Sequence, residues 1–168
     1  MGSPAGPGIS TSLHTDPIGP FRLLEQWQQQ LAAGSAQAPA ATSLFIGRVR
    51  GRTAAGLPLD ALELEHYPGM TEAQLQRLAT ASARRHRVAA VMVRHRVGLV
   101  LAGDVIVVVA VLADRRGPAQ RCCQELLEAL KHHAPFWKRE WSSGMGEWVP
   151  GNTALDAMDP DATDLDAG

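Results

Sequence analysis

Apolar residues recur along the chain with two different periods. Alternating or continuously apolar runs predict strands over residues 9–13, 43–50, 60–67, 88–95 and 104–112. Apolar residues spaced three and four apart predict helices over 21–33, 71–85 and 117–134. Because several predicted strands follow one another directly, the pattern favours an α+β domain with antiparallel pairs over a doubly wound parallel sheet.

Single residues predict where two of the helices begin or end. Thr71 is expected to cap the second helix, with Gln74 three residues later as its capping-box partner. Pro135 ends the third helix, because the residue before a proline is driven out of the helical region. The Trp-containing stretch after that proline is predicted to be irregular.

The composition indicates one globular domain with polar ends. The chain has 168 residues, is 45% hydrophobic and carries a net charge of -1, which excludes wholesale disorder. We expect a disordered lead over 1–8, a folded domain over 9–150 and a disordered acidic tail over 151–168. The mildly basic body suits an anionic ligand and falls short of a duplex nucleic-acid binder.

From the sequence we expect neither a secretion leader nor a membrane span. Its N-terminus lacks a basic start followed by an apolar run, and its most apolar stretch is too short to span a bilayer. The adjacent thiols of Cys122 and Cys123 are expected to pack in the interior, with metal binding or redox sensing as the alternatives. We therefore expect a cytoplasmic protein with no bound metal.

The histidines and glycines offer little chemistry on sequence alone. His66 lies on the leucine face of its strand and is expected to pack in the core, while His95 is expected to be a hydrogen-bonded structural residue. Neither a P-loop nor a G-x-G-x-x-G motif is present, so no cofactor is expected.

Lysine is scarce in this chain, and its two copies lie within eight residues. Lys131 and Lys138 are the only lysines among 16 basic residues. Unlike arginine, lysine can lose its proton and act as a base or nucleophile. A dipole-complementing or surface role would explain either one. Alternatively, both amines lie in a partly desolvated pocket beside Phe136, Trp137 and Trp141, where burial favours the neutral form.

Arginines provide a second possible site. Arg48 and Arg50 alternate on one strand, and Arg115 and Arg116 follow the end of another. If those strand ends converge, the four guanidinium groups form a phosphate-binding site; otherwise they are solvated strand ends. The residues alone thus predict an anion-binding α+β domain with two reactive lysines, without naming a substrate.

Several motifs in a fixed order resemble one family. They are F-I-G-R-V-R at 45–50, L-E-H-Y-P-G-M at 64–70, H-R-V-G at 95–98, A-G-D at 102–104, L-K-H-H-A-P-F-W-K-R-E at 130–140 and W-V at 148–149. Together they resemble the large subunit of molybdopterin synthase, the MoaE family. The resemblance implies an α/β hammerhead fold with an additional antiparallel β subdomain.

The resemblance also implies an activity and partners. Family members form a dimer of large subunits, each binding a small ubiquitin-like subunit of the MoaD type in a heterotetramer. Sulfur passes from the thiocarboxylated C-terminus of the small subunit to cyclic pyranopterin monophosphate (precursor Z), forming the dithiolene of molybdopterin. No nucleic acid or membrane takes part.

Matched by position, this chain's two lysines correspond to the family's active-site amines. Lys131 and Lys138 are the implied catalytic residues. The implied substrate-binding residues are both lysines together with Arg48, Val49, Arg50, Arg115, Arg116, Arg139 and Glu140. In the family some of these arginines come from the neighbouring large subunit.

One departure from the family pattern leaves rival functions open. Arg115 replaces a family histidine, which removes a possible proton shuttle and adds fixed charge. A non-catalytic paralogue that only captures a ubiquitin-like partner is therefore one alternative. A lysine-dependent enzyme acting on a phosphorylated substrate is another.

Overall fold

The computed structural model describes residues 6–34 and 38–150. These residues form eight strands and three helices: β1 (Gly8–His14), α1 (Pro20–Ala32), β2 (Ala41–Arg48), β3 (Ala61–His66), α2 (Met70–His86), β4 (Ala90–Arg96), β5 (Gly98–Leu101), β6 (Val105–Ala113), α3 (Arg116–His133), β7 (Phe136–Ser142) and β8 (Met145–Val149). All the predicted helices and strands form, with ends that differ by one or two residues.

The first sheet has the strand order β1-β4-β6-β2 and is covered on both faces. Side chains alternate along β4: Val91 and Val93 join the core under α2 and α3, while Met92 packs with Trp27 of α1. Only the β1–β4 pair in this sheet is parallel. Because helices cover both faces of this sheet, its central strands β4 and β6 need apolar side chains on both faces.

The second sheet has the strand order β5-β3-β7-β8, and all its pairs are antiparallel. Its inner face buries Leu64 and Val100 together with Val49. Its outer face leaves large side chains exposed, including Trp137 at 44% and Trp148 at 49%. The α+β prediction is confirmed, with one mixed and one antiparallel sheet.

The prediction of an irregular segment after Pro135 is wrong. Residues 136–149 form a β-hairpin whose two-residue turn, Ser143 and Gly144, has positive φ at both positions. β5 was also missed. Both β5 and β7 pair with β3, which is distant in the sequence. Local periodicity alone did not reveal these pairings.

The predicted cap of α2 is also wrong, and the actual contacts bear on the lysines. Gly69 precedes the helix, and its N–H donates to Glu72 Oε2 at 2.7 Å. The buried Thr71 hydroxyl instead accepts from the Tyr67 N–H at 3.1 Å and donates to the Pro135 carbonyl at 3.4 Å. Gln74 donates to the His133 carbonyl at 3.3 Å. The start of α2 therefore holds the junction between α3 and β7.

The lead and tail fall mainly outside the part of the chain that the structure describes. β1 already begins at Gly8, whose N–H donates to the Ala89 carbonyl at 2.9 Å. The remaining predictions for 1–8 and 151–168 stay predictions. Among the described helices, none has both the length and the apolar content needed to cross a bilayer.

Candidate active site

The two lysines lie on either side of the turn between α3 and β7. Lys131 occupies the last turn of α3, which ends at His133, and Lys138 is the third residue of β7. Pro135 reverses the chain between them. The amines are close enough for the charge of Lys131 to lower the pKa of Lys138. The α3–β7 turn therefore brings the two amines near each other, and their role as one site stays a prediction.

Lys131 lies in an open, charged environment. Its side chain is 44% exposed, and its Nζ lies 3.7 Å from Glu128 Oε1, one turn earlier on α3. The other oxygen of Glu128 lies 3.6 Å from His132 Nε2. A nearby carboxylate and the C-terminal end of a helix both stabilise an ammonium group. Lys131 is therefore suited to act as a cation.

Lys138 lies in a more apolar environment. It is half-buried on the inner face of the second sheet, between Leu64 of β3 and Val149 of β8. Burial is the main cause that lowers the pKa of Lys138, and the charge of Lys131 adds to it. Lys138 therefore gives up its proton more readily than an exposed lysine, which suits a general base.

Only one of the three predicted pocket aromatics shares the face of Lys138. Phe136 precedes it by two residues and lies on the inner face, whereas Trp137 and Trp141 alternate to the outer face. Trp137 makes an edge contact with Tyr67 there, at a ring separation of 4.6 Å. The expectation that Trp137 and Trp141 lie beside the amine is therefore wrong, because strand alternation places them on the other face, whereas Phe136 does share the face of Lys138.

The two residues after Lys138 point to opposite faces. Arg139 lies on the outer face, where its Nη1 is 3.6 Å from Glu63 and its guanidinium lies 4.1 Å from the ring centre of Trp148. Glu140 returns to the face of Lys138 and pairs with Leu62 of β3. Of these two implied substrate contacts, only Glu140 faces the same side as the amine.

Arg48, Val49 and Arg50 lie at the end of β2. Arg48 is exposed and donates to the Gly103 carbonyl at 3.1 Å. Val49 is 5% exposed, and its backbone exchanges hydrogen bonds of 2.9 Å with Asp104 and Gly103. Arg50 is exposed. Val49 thus anchors the segment, while the two arginines on either side face solvent.

The predicted convergence of the arginine pairs does not occur within one chain. In the β2–β6 register, Ala41 lies across from Ala113 while Arg48 lies across from Val105. Arg115 follows Ala113 and is therefore separated from Arg48 by the length of β6, about 26 Å at roughly 3.3 Å per residue. The antiparallel pairing places the two arginine pairs at opposite ends of the sheet.

Arg116 is also remote from the lysines along α3. It begins the helix that carries Lys131 near its end. Fifteen residues at 1.5 Å each separate their backbones by about 22 Å. Arg115 and Arg116 are both exposed. In a single chain they stand apart from both amines.

His95 is a neighbour of the lysine site that the sequence reasoning overlooked. Its ring stacks on Phe136 with a centroid separation of 4.2 Å and an interplanar angle of 17°. Its Nδ1 hydrogen-bonds to the Arg96 carbonyl at 2.7 Å, which confirms the predicted hydrogen-bonded histidine. Its place in the H-R-V-G motif was the available indication, because that motif contributed to the family resemblance.

The buried cysteines form part of the core. Cys122 and Cys123 are free thiols packed with Leu126 under the first sheet, which confirms the packing prediction. Burial raises the pKa of Cys122 to about 12, with smaller contributions from Cys123 and Glu125. Within residues 6–34 and 38–150, no three His, Cys, Asp or Glu side chains are grouped to hold a metal.

Known proteins are similar to this chain in sequence and in fold. The sequence profile described as MoaE protein matches residues 20–133, which include Lys131 but end before Lys138. A molybdopterin synthase catalytic subunit from Ralstonia nicotianae is 42% identical over 119 residues, covering 71% of this chain and 66% of that protein. The chain belongs to the MoaE family.

Solved structures match a larger share of the chain. Molybdopterin cofactor biosynthesis protein E from Burkholderia multivorans superposes with a TM-score of 0.70 and 33% identity, covering 89% of this chain and 93% of that one. A Helicobacter pylori structure, a complex of subunits 1 and 2 of molybdopterin-converting factor, has a TM-score of 0.68 over 83% and 89% of the two chains. At 19% identity, that second likeness shows the fold alone.

Proposed function

We propose that this chain is the catalytic subunit of a molybdopterin synthase. It would transfer sulfur from the thiocarboxylated C-terminus of a small MoaD-type subunit to cyclic pyranopterin monophosphate, forming the dithiolene of molybdopterin. The main supporting observation is the pair of lysines across the α3–β7 turn, one beside a carboxylate and one with a lowered pKa. Membership of the MoaE family supports the same conclusion.

The two amines suit different parts of this chemistry. The Lys131 ammonium would stabilise the negative charge of the thiocarboxylate and of the carbonyl oxygen as sulfur leaves. The Lys138 amine, more easily deprotonated, would take up and return protons as carbon–sulfur bonds form. Arg48 and Arg50, exposed at the end of β2, would bind the cyclic phosphate.

The positions of the other two arginines favour a site shared between copies. Arg116 starts about 22 Å from Lys131 along α3, and Arg115 is also at the far end of the first sheet. For these residues to contact the same substrate as the lysines, they must come from a second large subunit. We therefore propose a dimer of large subunits, each binding one small subunit.

The proposal also covers domain limits and location. Because β1 begins at Gly8, one residue before the predicted domain limit, the catalytic domain would span residues 8–150. A disordered lead would precede it, and a disordered acidic tail over 151–168 would follow it. The protein would act in the cytoplasm, without nucleic acid or membrane. The five Asp residues of the tail account for the acidic end of the chain.

Reconstitution tests the activity directly. The purified chain, a thiocarboxylated small subunit and precursor Z should yield molybdopterin, detected as its fluorescent oxidation product. Lys131→Ala should abolish conversion while the protein stays folded. Arg22→Ala, an exposed change on α1, is the surface control. Unchanged turnover by Lys131→Ala would contradict the assignment.

Mixed dimers test the shared site. A chain carrying Lys131→Ala and a chain carrying Arg116→Ala should each be inactive as homodimers. If the site is built from two chains, their mixture should regain activity, since one of its sites keeps both Lys131 and Arg116. No recovery in a mixture shown to contain heterodimers would refute the shared arrangement.

A non-catalytic paralogue is the second candidate, and Arg115 is the observation that favours it. The family histidine at this position could move a proton, whereas arginine cannot. In that case the chain would bind the thiocarboxylated small subunit and form no product. Arg115→His should then create activity, whereas an active wild type would exclude the paralogue.

A further inference from the structure

His95 connects the two sheets at the start of the strand that carries Lys138. The histidine belongs to β4 of the first sheet, and Phe136, on which it stacks, is the first residue of β7 in the second. Phe136 packs against the core under α2 and α3 and against the core under the second sheet. The stacked pair is therefore a direct link between the sheets, two residues before the amine.

The hydrogen bond of His95 fixes its tautomer. Nδ1 lies 2.7 Å from the Arg96 carbonyl oxygen, which can only accept. Nδ1 must therefore carry the hydrogen, which leaves Nε2 without one. Burial lowers the pKa of His95 to about 4, opposed by this hydrogen bond and assisted by the charge of Lys138. At neutral pH the ring is uncharged, so it adds no second cation beside the lysine.

One amine is carried by a helix that packs on the first sheet and the other by a strand of the second sheet, so their spacing depends on contacts between these two parts of the fold. Lys131 lies on α3, which packs on β6 and β2 of the first sheet. Lys138 is held in register with Leu64 of β3 in the second sheet. The contacts that link these two parts include the Pro135 turn, the Thr71 hydrogen bond to the Pro135 carbonyl, and the His95–Phe136 stack.

We propose that His95 is a positioning residue for Lys138. Its neutral ring, stacked on Phe136, fixes the start of β7 against the first sheet and so sets the burial of the Lys138 amine and its distance from Lys131. Only the activity readout of this inference rests on the proposed function. The positioning itself is a property of the folded chain.

The scarcity of lysine provides a direct measurement. The chain has three amines, Lys131, Lys138 and the N-terminus, so acetylation by a succinimidyl ester can be followed at each one by peptide mass spectrometry across a pH series. The charge of Lys131 on α3 lowers the pKa of Lys138, and the charge of Lys138 in turn lowers the pKa of His95 on β4. Glu140, two residues on, lies on the same face of β7, and the cross-strand partners Leu64 and Val149 are uncharged.

Three variants separate positioning from general destabilisation. His95→Ala should move the labelling midpoint of Lys138 upward, toward that of an ordinary lysine, and leave Lys131 unchanged. His95→Phe keeps a ring on Phe136 and should restore the wild-type midpoint. Val93→Ala, a fully buried change on the same strand and face as the half-buried His95, is the control for general destabilisation and should leave the midpoint in place.

The activity assay adds a second readout. Because a misplacement of about 1 Å can reduce a rate on the order of 10²-fold, His95→Ala should lower kcat by about that factor with little change in KM. His95→Phe should recover most of the loss. If His95→Ala does not fold, Phe136→Leu removes the stack from the other side and should shift the Lys138 midpoint in the same direction.

Two results would overturn the proposal. One is a folded His95→Ala protein whose Lys138 midpoint matches the wild type; the other is an equal shift in Val93→Ala. Failure of the proposed function is recognised separately, because a wild type that makes no molybdopterin still gives the labelling profile. If the wild type makes no molybdopterin, a shifted Lys138 midpoint in His95→Ala would still support positioning, without supporting sulfur transfer.

Discussion

Replacing Lys138 with methionine should make the protein more stable while removing its activity. Burial, together with the charge of Lys131, lowers the pKa of Lys138, which means that folding disfavours its charged form. Methionine is similar in length and places an apolar chain beside Leu64 and Val149. We expect a gain of about 0.5–2 kcal/mol in the free energy of unfolding at pH 7, the usual size of a single stabilising change.

Lys131→Met is the matched comparison and should have the opposite sign. The Lys131 side chain is 44% exposed and lies beside Glu128 at the C-terminal end of α3. Losing that ion pair and the dipole interaction should cost about 0.5–1 kcal/mol. Both variants should be inactive, so activity alone does not distinguish the two lysines but stability does.

Urea denaturation measures the change in the free energy of unfolding for both variants, provided that their m-values equal that of the wild type. In thermal melts, 1 kcal/mol corresponds to about 2–4 °C for a chain of this size. The pH dependence supplies a sign check. Between the lowered folded-state pKa of Lys138 and the ordinary value of 10.5, the unfolded chain binds more protons, so wild-type stability rises with pH in this window. The advantage of Lys138→Met should therefore shrink as the pH approaches 10.5. A destabilised Lys138→Met protein, or equal signs for both variants, would refute the reasoning.

Three further outcomes follow from single contacts. The two cysteine thiols should resist alkylation at pH 8 in the native protein and react in urea, as thiol titration would show. The reason is that Cys122 and Cys123 are buried, and burial raises the pKa of Cys122 to about 12. Rapid labelling of the native protein would contradict their burial. Thr71→Val should lower the free energy of unfolding, measured by urea denaturation, by about 1–2 kcal/mol, because the Pro135 carbonyl loses its hydrogen bond at the α3–β7 turn. The same change should lower kcat. Unchanged activity would show that this hydrogen bond does not position the lysines. Arg139→Ala should lower the free energy of unfolding by about 1–2 kcal/mol, because it removes an ion pair with Glu63 and a cation–π contact with Trp148. Its kcat should be unchanged, because Arg139 lies on the outer face, away from Lys138. A large fall in kcat would contradict that placement.

The sequence was sufficient for features that depend on local pattern. The alternation of Leu62, Leu64 and His66 predicted a half-buried strand, and β3 forms there with Leu64 buried and the other two half-buried. The prediction that α3 ends just before Pro135 is also confirmed. The scarcity of lysine selected Lys131 and Lys138, and the family motifs led to the MoaE family. Each of these follows from neighbouring residues or from their order along the chain.

The tertiary structure decided which of those residues lie together. Pairing with β3 turned the segment after Pro135 into a strand, and strand alternation then separated Trp137 from Lys138. Antiparallel pairing of β2 and β6 placed Arg48 and Arg115 at opposite ends of a sheet. These outcomes depend on hydrogen bonds between segments distant in sequence, whose register no local period encodes. The sequence by itself determined which side chains are the candidates for the chemistry, whereas the pairing of distant strands decided which of them lie close enough to act together.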